Sequence, residues 1–282
     1  MFCGGRDINP LSPPLAQVAD FLTMMYMDDK AYSTINTARS ALSCLGLKFD
    51  GVAVGAHPTI TRLMKGIFNH RPSRSKHDTT WDVDVVLNYI RQNPQNTELQ
   101  IKDLTLKLTM LLALTQAARP QTLNCLTTEN HIKTPESYTL YLDGTLKHTR
   151  PGMPLPPVTI KRFRADPNLC AYSCLEIYLE RTQEWRENSG KLLLSYVKPH
   201  KSVTVDTIRR WLKTIMSNSG INVELFGAYS ARAASVSKAA CNSIPIDIIM
   251  KTAGWTREST FAKFYHKTIV KPIEFGNNIL TM

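Results

Sequence analysis

The sequence lacks an apolar run long enough to cross a membrane. The longest such run, 108–118, is interrupted by Thr109, Thr115 and Gln116 and is shorter than the roughly 20 residues that a membrane-spanning helix needs. The amino terminus, 1–7, has no apolar segment of the kind found in signal peptides. We therefore expect a soluble, intracellular protein without a membrane partner.

Motifs for several kinds of chemistry are also missing. No glycine-rich phosphate loop of the Walker type occurs, which argues against a kinase or nucleotidase. The six cysteines are scattered, and Cys170 and Cys174 have no second Cys/His pair at zinc-finger spacing. We expect free, mostly buried thiols in a reducing compartment, no metal site and no cofactor.

Acidic residues are scarce relative to basic ones. The chain has 34 Lys and Arg against 23 Asp and Glu, a net charge of +11. This balance favours a polyanionic partner, either nucleic acid or an acidic membrane surface, although solubility alone would also explain it.

One stretch, 51–76, contains no acidic residue at all. A DNA-contacting surface and a solvated helix face with a linker explain its charges equally well. The candidate DNA contacts are Arg39, Arg62, Lys65, Arg71, Arg74 and Lys76.

Hydrophobic periodicity predicts a small helical unit at 1–72, a linker at 73–80 and a larger unit at 81–282. In the first unit an amphipathic helix follows Pro14, a second spans 33–45 with Ser33 and Thr34 as candidate caps, and a third starts at Pro58.

The second unit is predicted to be mainly α with a small antiparallel β-sheet, an α+β fold. Strands at 138–142 and 158–160 flank a polar hairpin tip, and a short strand is expected at 192–196. The expected helices are 81–91, 104–117, 205–216, 230–241, 245–252 and 258–266, of which 104–117 is apolar on all sides and therefore central.

Four short motifs place phosphate-binding and nucleophilic side chains in one ordered series. They are Ala118-Arg119-Pro120, Tyr229-Ser230-Ala231-Arg232, Gly254-Trp255 and Phe261-Ala262-Lys263-Phe264-Tyr265-His266. Each guanidinium offers a planar fork of donors that matches phosphate oxygens, and a tyrosine hydroxyl can act as a covalent nucleophile.

This series resembles the tyrosine recombinase (phage integrase) family, whose pattern is Arg, Lys, His-x-x-Arg, His or Trp, and Tyr. The resemblance covers nearly the whole chain and is greatest for the DIRS-type and Crypton-type mobile elements of eukaryotes, which have counterparts of 146–152 and 258–261. It implies a helical core-binding domain and a catalytic domain that form a C-shaped clamp around duplex DNA. It also implies chains that are monomeric when free and tetrameric at synapsis, acting in the nucleus.

The resemblance also implies roles for individual residues. Arg119 and Arg232 would hold the non-bridging oxygens of a phosphodiester, and Trp255 would donate its indole N–H. Tyr265 would form a 3′-phosphotyrosyl intermediate. Lys147 would protonate the leaving oxygen, with Lys161 as its rival. The ordinary alternatives are buried ion pairs for the arginines, core packing for the aromatic residues and solvation for the lysines.

Two departures from the family pattern concern activity. Tyr229 stands at the histidine position, and a phenol with a reference pKa of about 10 cannot replace imidazole as a base near neutral pH. The carboxylate that often follows the first arginine is absent, since Pro120, Gln121 and Thr122 stand there and Glu129 comes later.

Three functions therefore remain open. The first is a site-specific DNA recombinase or integrase of a mobile element, slowed by the loss of the histidine. The second is a weakened or inactive DNA-binding remnant of such an element. The third is a type IB topoisomerase, which uses the same tyrosyl chemistry.

Overall fold

The computed structural model describes residues 2–6, 8–72, 78–146, 149, 152, 155–186, 189–255, 258, 261–262 and 267–270. They fall into two compact units, Met1–Lys76 and His77–Met282. The fold is mainly α-helical with small sheets, as predicted. Within the described residues no helix is both long and apolar enough to span a bilayer.

The first unit contains three helices and a β-hairpin. The helices are α1 (Leu15–Met27), α2 (Tyr32–Cys44) and α3 (Pro58–His70), and the hairpin pairs β1 (Lys48–Phe49) with β2 (Val52–Ala53). Their apolar faces enclose a core of Val18, Leu22, Ile35, Leu47, Val54, Ile60, Met64 and Ile67. Helices α1 and α2 were predicted from their apolar stripes, and α3 was predicted from Pro58 at its first turn.

The helix starts were predicted less well. Helix α2 begins at Tyr32 after Ala31, which has no capping side chain, so the prediction of Ser33 or Thr34 as a cap is wrong. Helix α3 does begin at Pro58, where a missing N–H costs nothing. The preceding His57 accepts a hydrogen bond from the Thr59 N–H at 3.3 Å.

The second unit is built around α5 (Ile101–Thr115). Every residue from Leu104 to Leu114 is buried, which confirms the prediction of a central apolar helix. The burial includes Lys107, and desolvation lowers the pKa of its amine. The surrounding helices are α4 (Val83–Arg91), α6 (Pro120–Cys125), α7 (Ala171–Arg181), α8 (Val205–Asn218), α9 (Ser230–Cys241) and α10 (Ile246–Ala253).

A three-stranded antiparallel sheet packs beside these helices. Its order is β4 (Leu126–Lys133), β5 (Ser137–Leu142) and β6 (Val158–Lys161), with Tyr138 opposite Ile160. The sequence predicted β5 and β6 but not β4, which is mostly exposed and has no apolar alternation.

The strand predicted at 192–196 does not form. Among the described residues, this segment makes one isolated bridge, between Leu194 and Ser202, and a second, between Thr127 and Lys191, lies one residue before it. Its consecutive leucines are buried on several sides, so the apolar run indicates burial and not strand geometry.

A short parallel pair joins the start of the second unit to its end. Strand β3 (Thr79–Trp81) pairs with β7 (Thr268–Val270), so Thr79 and Thr80 are strand residues and not linker. The helix expected from Trp81 begins at Val83 because Asp82 caps it, accepting from the Asp84 N–H at 3.0 Å.

All six cysteines are free thiols, but only Cys125, Cys170 and Cys174 are buried. Burial raises the pKa of Cys174 to about 12, so this thiol is protonated. The expectation of mostly buried thiols therefore holds for half of them.

Shortening a side chain in the centre of α5 should destabilise the second unit. Leu108 is fully buried, and Leu108→Ala should lower the free energy of unfolding by about 2–5 kcal/mol, because the lost methyl groups leave a cavity. The measurement is urea unfolding followed by tryptophan fluorescence, since all four tryptophans lie in this unit. Leu225→Ala, at a 44% exposed position, is the control and should change it little.

Candidate active site

Arg232 lies in the first turn of α9, and its guanidinium joins three other parts of the second unit. One amino group donates to the carbonyl of Ala117 at 2.5 Å and the other donates to the carbonyl of Ala253. The guanidinium carbon also lies 4.6 Å from the centre of the Trp255 ring, within cation–π distance. Arg232 is only 4% exposed, so its charge is balanced by backbone dipoles and an aromatic face.

The Ala117 carbonyl belongs to a backbone turn that needs support. Ala117 has a φ of +44°, in the left-handed region that alanine seldom adopts. This residue lies two positions after the end of α5, where the chain turns toward α6. The hydrogen bond from Arg232 therefore stabilises the turn that presents Arg119.

Arg119 is the N-cap of α6, and Pro120 starts the helix. Its side chain is partly buried, yet it has no hydrogen bond or ion pair to any residue that the structure describes. The two arginines therefore have different surroundings. Arg232 has backbone acceptors, one of them two residues before Arg119, whereas the Arg119 side chain has no hydrogen-bond acceptor among the described residues.

Trp255 is positioned by the end of α10. Gly254 adopts φ +65°, and the Trp255 N–H donates to the Met250 carbonyl at 2.9 Å, which closes the helix in the manner of a Schellman motif. The indole packs at 5.9 Å from the Phe261 ring. Trp255 therefore fills a small core and also lies directly against the Arg232 guanidinium.

Tyr229 precedes α9 and is 52% exposed. Its hydroxyl accepts a hydrogen bond from Arg209 of α8, whose guanidinium carbon lies 5.1 Å from the phenol ring centre. Arg209 also donates to Asp206. The hydrogen bond with Tyr229, and then the one with Asp206, raise the pKa of Arg209, so its positive charge is secure.

The candidates Lys147 and Tyr265 lie outside the described residues. Two residues before Lys147, the Thr145 carbonyl accepts from the side chain of Gln121 at 3.0 Å. Gln121 occupies the region where the expected carboxylate is missing. Gln121 lies in α6, two residues after Arg119, and its hydrogen bond joins this helix to the start of the β5–β6 connection. The rival Lys161 is exposed at the end of β6, opposite Ser137.

The described residues on either side of Tyr265 contact the same scaffold. Phe261 is buried against Trp255. The Lys267 N–H donates to the Ser237 hydroxyl of α9 at 3.1 Å, and β7 follows. The chain thus leaves Trp255 and returns to α9.

Sequence reasoning missed Arg209 and Gln121. Arg209 had no sequence signal, because its contact with Tyr229 depends on how α8 packs beside the start of α9. Gln121 did have a signal, namely its place in the gap left by the absent carboxylate.

The candidate DNA contacts of the first unit divide into two groups. Arg71 is used within the unit, since it donates to Asp29 at 2.8 Å and to the carbonyl of Tyr26 at 3.3 Å. Arg39 donates to the Gly55 carbonyl at 3.2 Å. Arg62 and Lys65 are exposed on α3, while Arg74 and Lys76 lie outside the described residues.

No protein-family model and no curated protein matches the sequence, but solved structures do match the fold. XerH site-specific recombinase bound to palindromic difH substrate superimposes with a TM-score of 0.61 at 13% identity, over 87% of this chain and 67% of that one. The chain has the tyrosine recombinase fold. This fold agrees with the ordered series of arginine, arginine, tryptophan and tyrosine.

Two further structures share the fold. Tn1549 transposon integrase in complex with circular intermediate DNA gives a TM-score of 0.57 at 11% identity, over 96% of this chain and 86% of that one. A lambda integrase tetramer bound to a Holliday junction gives 0.55 at 14% identity, over 95% and 67%.

Replacing Arg232 by lysine should destabilise the second unit although the charge is kept. A single ammonium group cannot span both carbonyls as the planar fork does, so one of them loses its donor. We expect the free energy of unfolding to fall by about 1–3 kcal/mol. Urea unfolding followed by tryptophan fluorescence measures it.

The matched control for this substitution is Arg210→Lys. Arg210 is exposed and donates only to Thr207 within α8 at 3.1 Å, among the contacts the structure describes. Equal unfolding midpoints for the two lysine variants would contradict the anchoring role of Arg232.

Proposed function

We propose that this chain is a site-specific DNA recombinase or integrase that cuts and rejoins duplex DNA through a 3′-phosphotyrosyl intermediate. The observation that carries the proposal is the pair of arginines at the Ala117 turn, inside a tyrosine recombinase fold. Arg119 has no described partner, and Arg232 holds the turn that presents it. A guanidinium fork without a described acceptor, two residues after a carbonyl that Arg232 binds, suits a phosphodiester whose negative charge grows in the transition state.

In the proposed reaction the Tyr265 hydroxyl gives up its proton to solvent as its oxygen attacks the scissile phosphorus. The new P–O bond forms as the bond to the 5′ oxygen breaks, and Lys147 gives that oxygen a proton. Attack by a 5′ hydroxyl reverses the step, so the bond energy is kept and no nucleotide is consumed. Arg119, Arg232, Tyr229 and Trp255 would contact the phosphate, and because the arginines balance its charge the reaction needs no metal.

Two features support a role for the segments outside the described residues. Gln121 holds Thr145 close to α6, which supports the approach of Lys147 to Arg119. Phe261 and Lys267 both contact the scaffold of Trp255 and α9, which supports Tyr265 as the nucleophile.

The finer parts of the proposal follow from the family resemblance and from charge. We propose a DIRS-type or Crypton-type mobile element as the source, integration in the nucleus, and a tetramer at synapsis. In the first unit, the exposed Arg62 and Lys65 of α3 are the DNA contacts that we favour, because Arg39 and Arg71 already bind acceptors within the unit.

Covalent trapping tests the proposal. The protein is incubated with a library of nicked duplexes of randomised sequence, in which the cut strand loses its short 3′ fragment and cannot be rejoined. We expect a denaturation-resistant protein–DNA adduct attached at Tyr265, found by peptide mass spectrometry, and sequencing of the captured DNA identifies the target.

The matched control for trapping is Tyr265→Phe, which should form no adduct while it still shifts the same duplex in a gel. Specific binding by the unaltered protein without any adduct would support a DNA-binding remnant instead. An adduct on duplexes of every sequence, with relaxation of an ordinary supercoiled plasmid, would favour a topoisomerase.

Restoring the histidine should accelerate cleavage. General acid–base groups contribute about 100- to 10,000-fold, and Tyr229→His supplies a group that titrates near neutral pH. We expect a faster single-turnover cleavage rate, measured on the captured duplex near pH 7. An unchanged or lower rate, with the unfolding midpoint preserved, would refute the view that Tyr229 limits this enzyme.

A further inference from the structure

Arg209 belongs to no motif of the sequence, yet it contacts the one candidate side chain that departs from the family pattern. Its guanidinium donates to the Tyr229 hydroxyl and lies 5.1 Å from the ring centre. Its other amino group donates to Asp206, which holds the side chain in place on α8. The Arg209 side chain is still 39% exposed, so its charge can interact with a neighbouring anion.

The direction of this hydrogen bond determines what Tyr229 can do. A guanidinium has donors only, so the phenol oxygen must accept from it. The phenol proton then points away from Arg209 and is left for another acceptor. An ionised phosphate oxygen offers acceptor sites only, and a hydroxyl that accepts from a cation is a stronger donor in turn.

The position of Tyr229 fits this use. It comes three residues before Arg232, about one helical turn, and residues so spaced are neighbours on a helix surface. Arg232 in turn binds the turn before Arg119. Tyr229 is 52% exposed, whereas Arg232 is buried, so the phenol is accessible to an external group at the start of the helix that carries Arg232.

We propose that Arg209 is a positioning residue that aims the Tyr229 hydroxyl at the scissile phosphate and supplies the positive charge that a histidine would bring. The inference rests on the proposed recombinase function. It assigns Tyr229 and Arg209 one joint task, so that the missing imidazole is replaced by a hydroxyl and a guanidinium from a different helix.

A double-mutant cycle tests the inference on the captured nicked duplex. Removing one preorganised donor to developing charge typically costs roughly 100-fold in rate, and we expect Tyr229→Phe and Arg209→Gln each to slow single-turnover cleavage by about that factor. The double variant should be no slower than either single variant, because residues acting as one unit are not additive. Arg209→Lys, which keeps a cationic donor, should recover part of the rate.

The matched control is Arg210→Gln, which removes the same charge from the next residue of α8 and should leave the rate unchanged. Urea midpoints from tryptophan fluorescence separate a loss of chemistry from a loss of folding. If Arg209 only stabilises the packing of α8 against α9, Arg209→Gln should lower the urea unfolding midpoint and leave the cleavage rate of the folded protein unaltered. This result would overturn the inference. A double variant whose loss of cleavage rate equals the product of the two single losses would overturn it as well.

Cleavage of a neutral scissile linkage provides a further test, because a purely structural role of Arg209 would give the same rate defect on neutral and charged linkages. Replacing one non-bridging oxygen by a methyl group removes the phosphate charge, so the need for a cationic donor falls. The rate defect of Arg209→Gln should then shrink, for at least one of the two stereoisomers. An equal defect on both isomers and on the natural phosphate would contradict the proposal.

The two proposals fail in different ways. If the unaltered protein forms no covalent adduct, the recombinase function fails and this inference fails with it. If the unaltered protein forms the adduct and Arg209→Gln forms it at the same rate, only the inference about Arg209 fails.

Discussion

The hydrogen bonds from Arg232 to the carbonyls of Ala117 and Ala253 are the constraint on which the candidate site depends. A buried guanidinium must find acceptors, since an unpaired charge in the interior costs several kcal/mol. The acceptors here are the carbonyl of Ala117, in the turn after α5, and the carbonyl of Ala253, the last residue of α10, while the Trp255 ring lies against the guanidinium. One side chain thereby holds together α9, the turn before Arg119 and the Gly254-Trp255 corner.

Because a buried guanidinium must find acceptors within the protein, the two arginines differ in what their donors bind. Arg232 is enclosed and uses its fork mainly to stabilise the scaffold, including the left-handed Ala117. Arg119 is partly exposed, and its side chain has no hydrogen-bond or ion-pair partner among the described residues, which is why we propose it as the phosphate-binding arginine. At the start of α9, the Tyr229 hydroxyl accepts a hydrogen bond from Arg209 of α8.

Most helices could be predicted from local sequence signals. Helices α1 and α2 were found from their apolar stripes and α3 from Pro58 at its start, and the hydrophobic residues on all sides of α5 indicated its central place. The misses have physical causes that lie outside local sequence. Strand β4 is mostly exposed and shows no alternation, the β3–β7 pair joins segments almost two hundred residues apart, and 192–196 is buried without being a strand.

By itself, the sequence determined the helical character of the chain, its positive charge and the ordered set of Arg119, Tyr229, Arg232 and Trp255. These follow from residue identity and short spacings, which local periodicity and side-chain chemistry express directly. Only the tertiary structure decided which of the polar side chains near these residues have hydrogen-bond acceptors among the described residues. Three hydrogen bonds arise where separate helices and loops pack together: Arg232 to Ala117, Gln121 to Thr145 and Arg209 to Tyr229. No local sequence pattern encodes such long-range contacts.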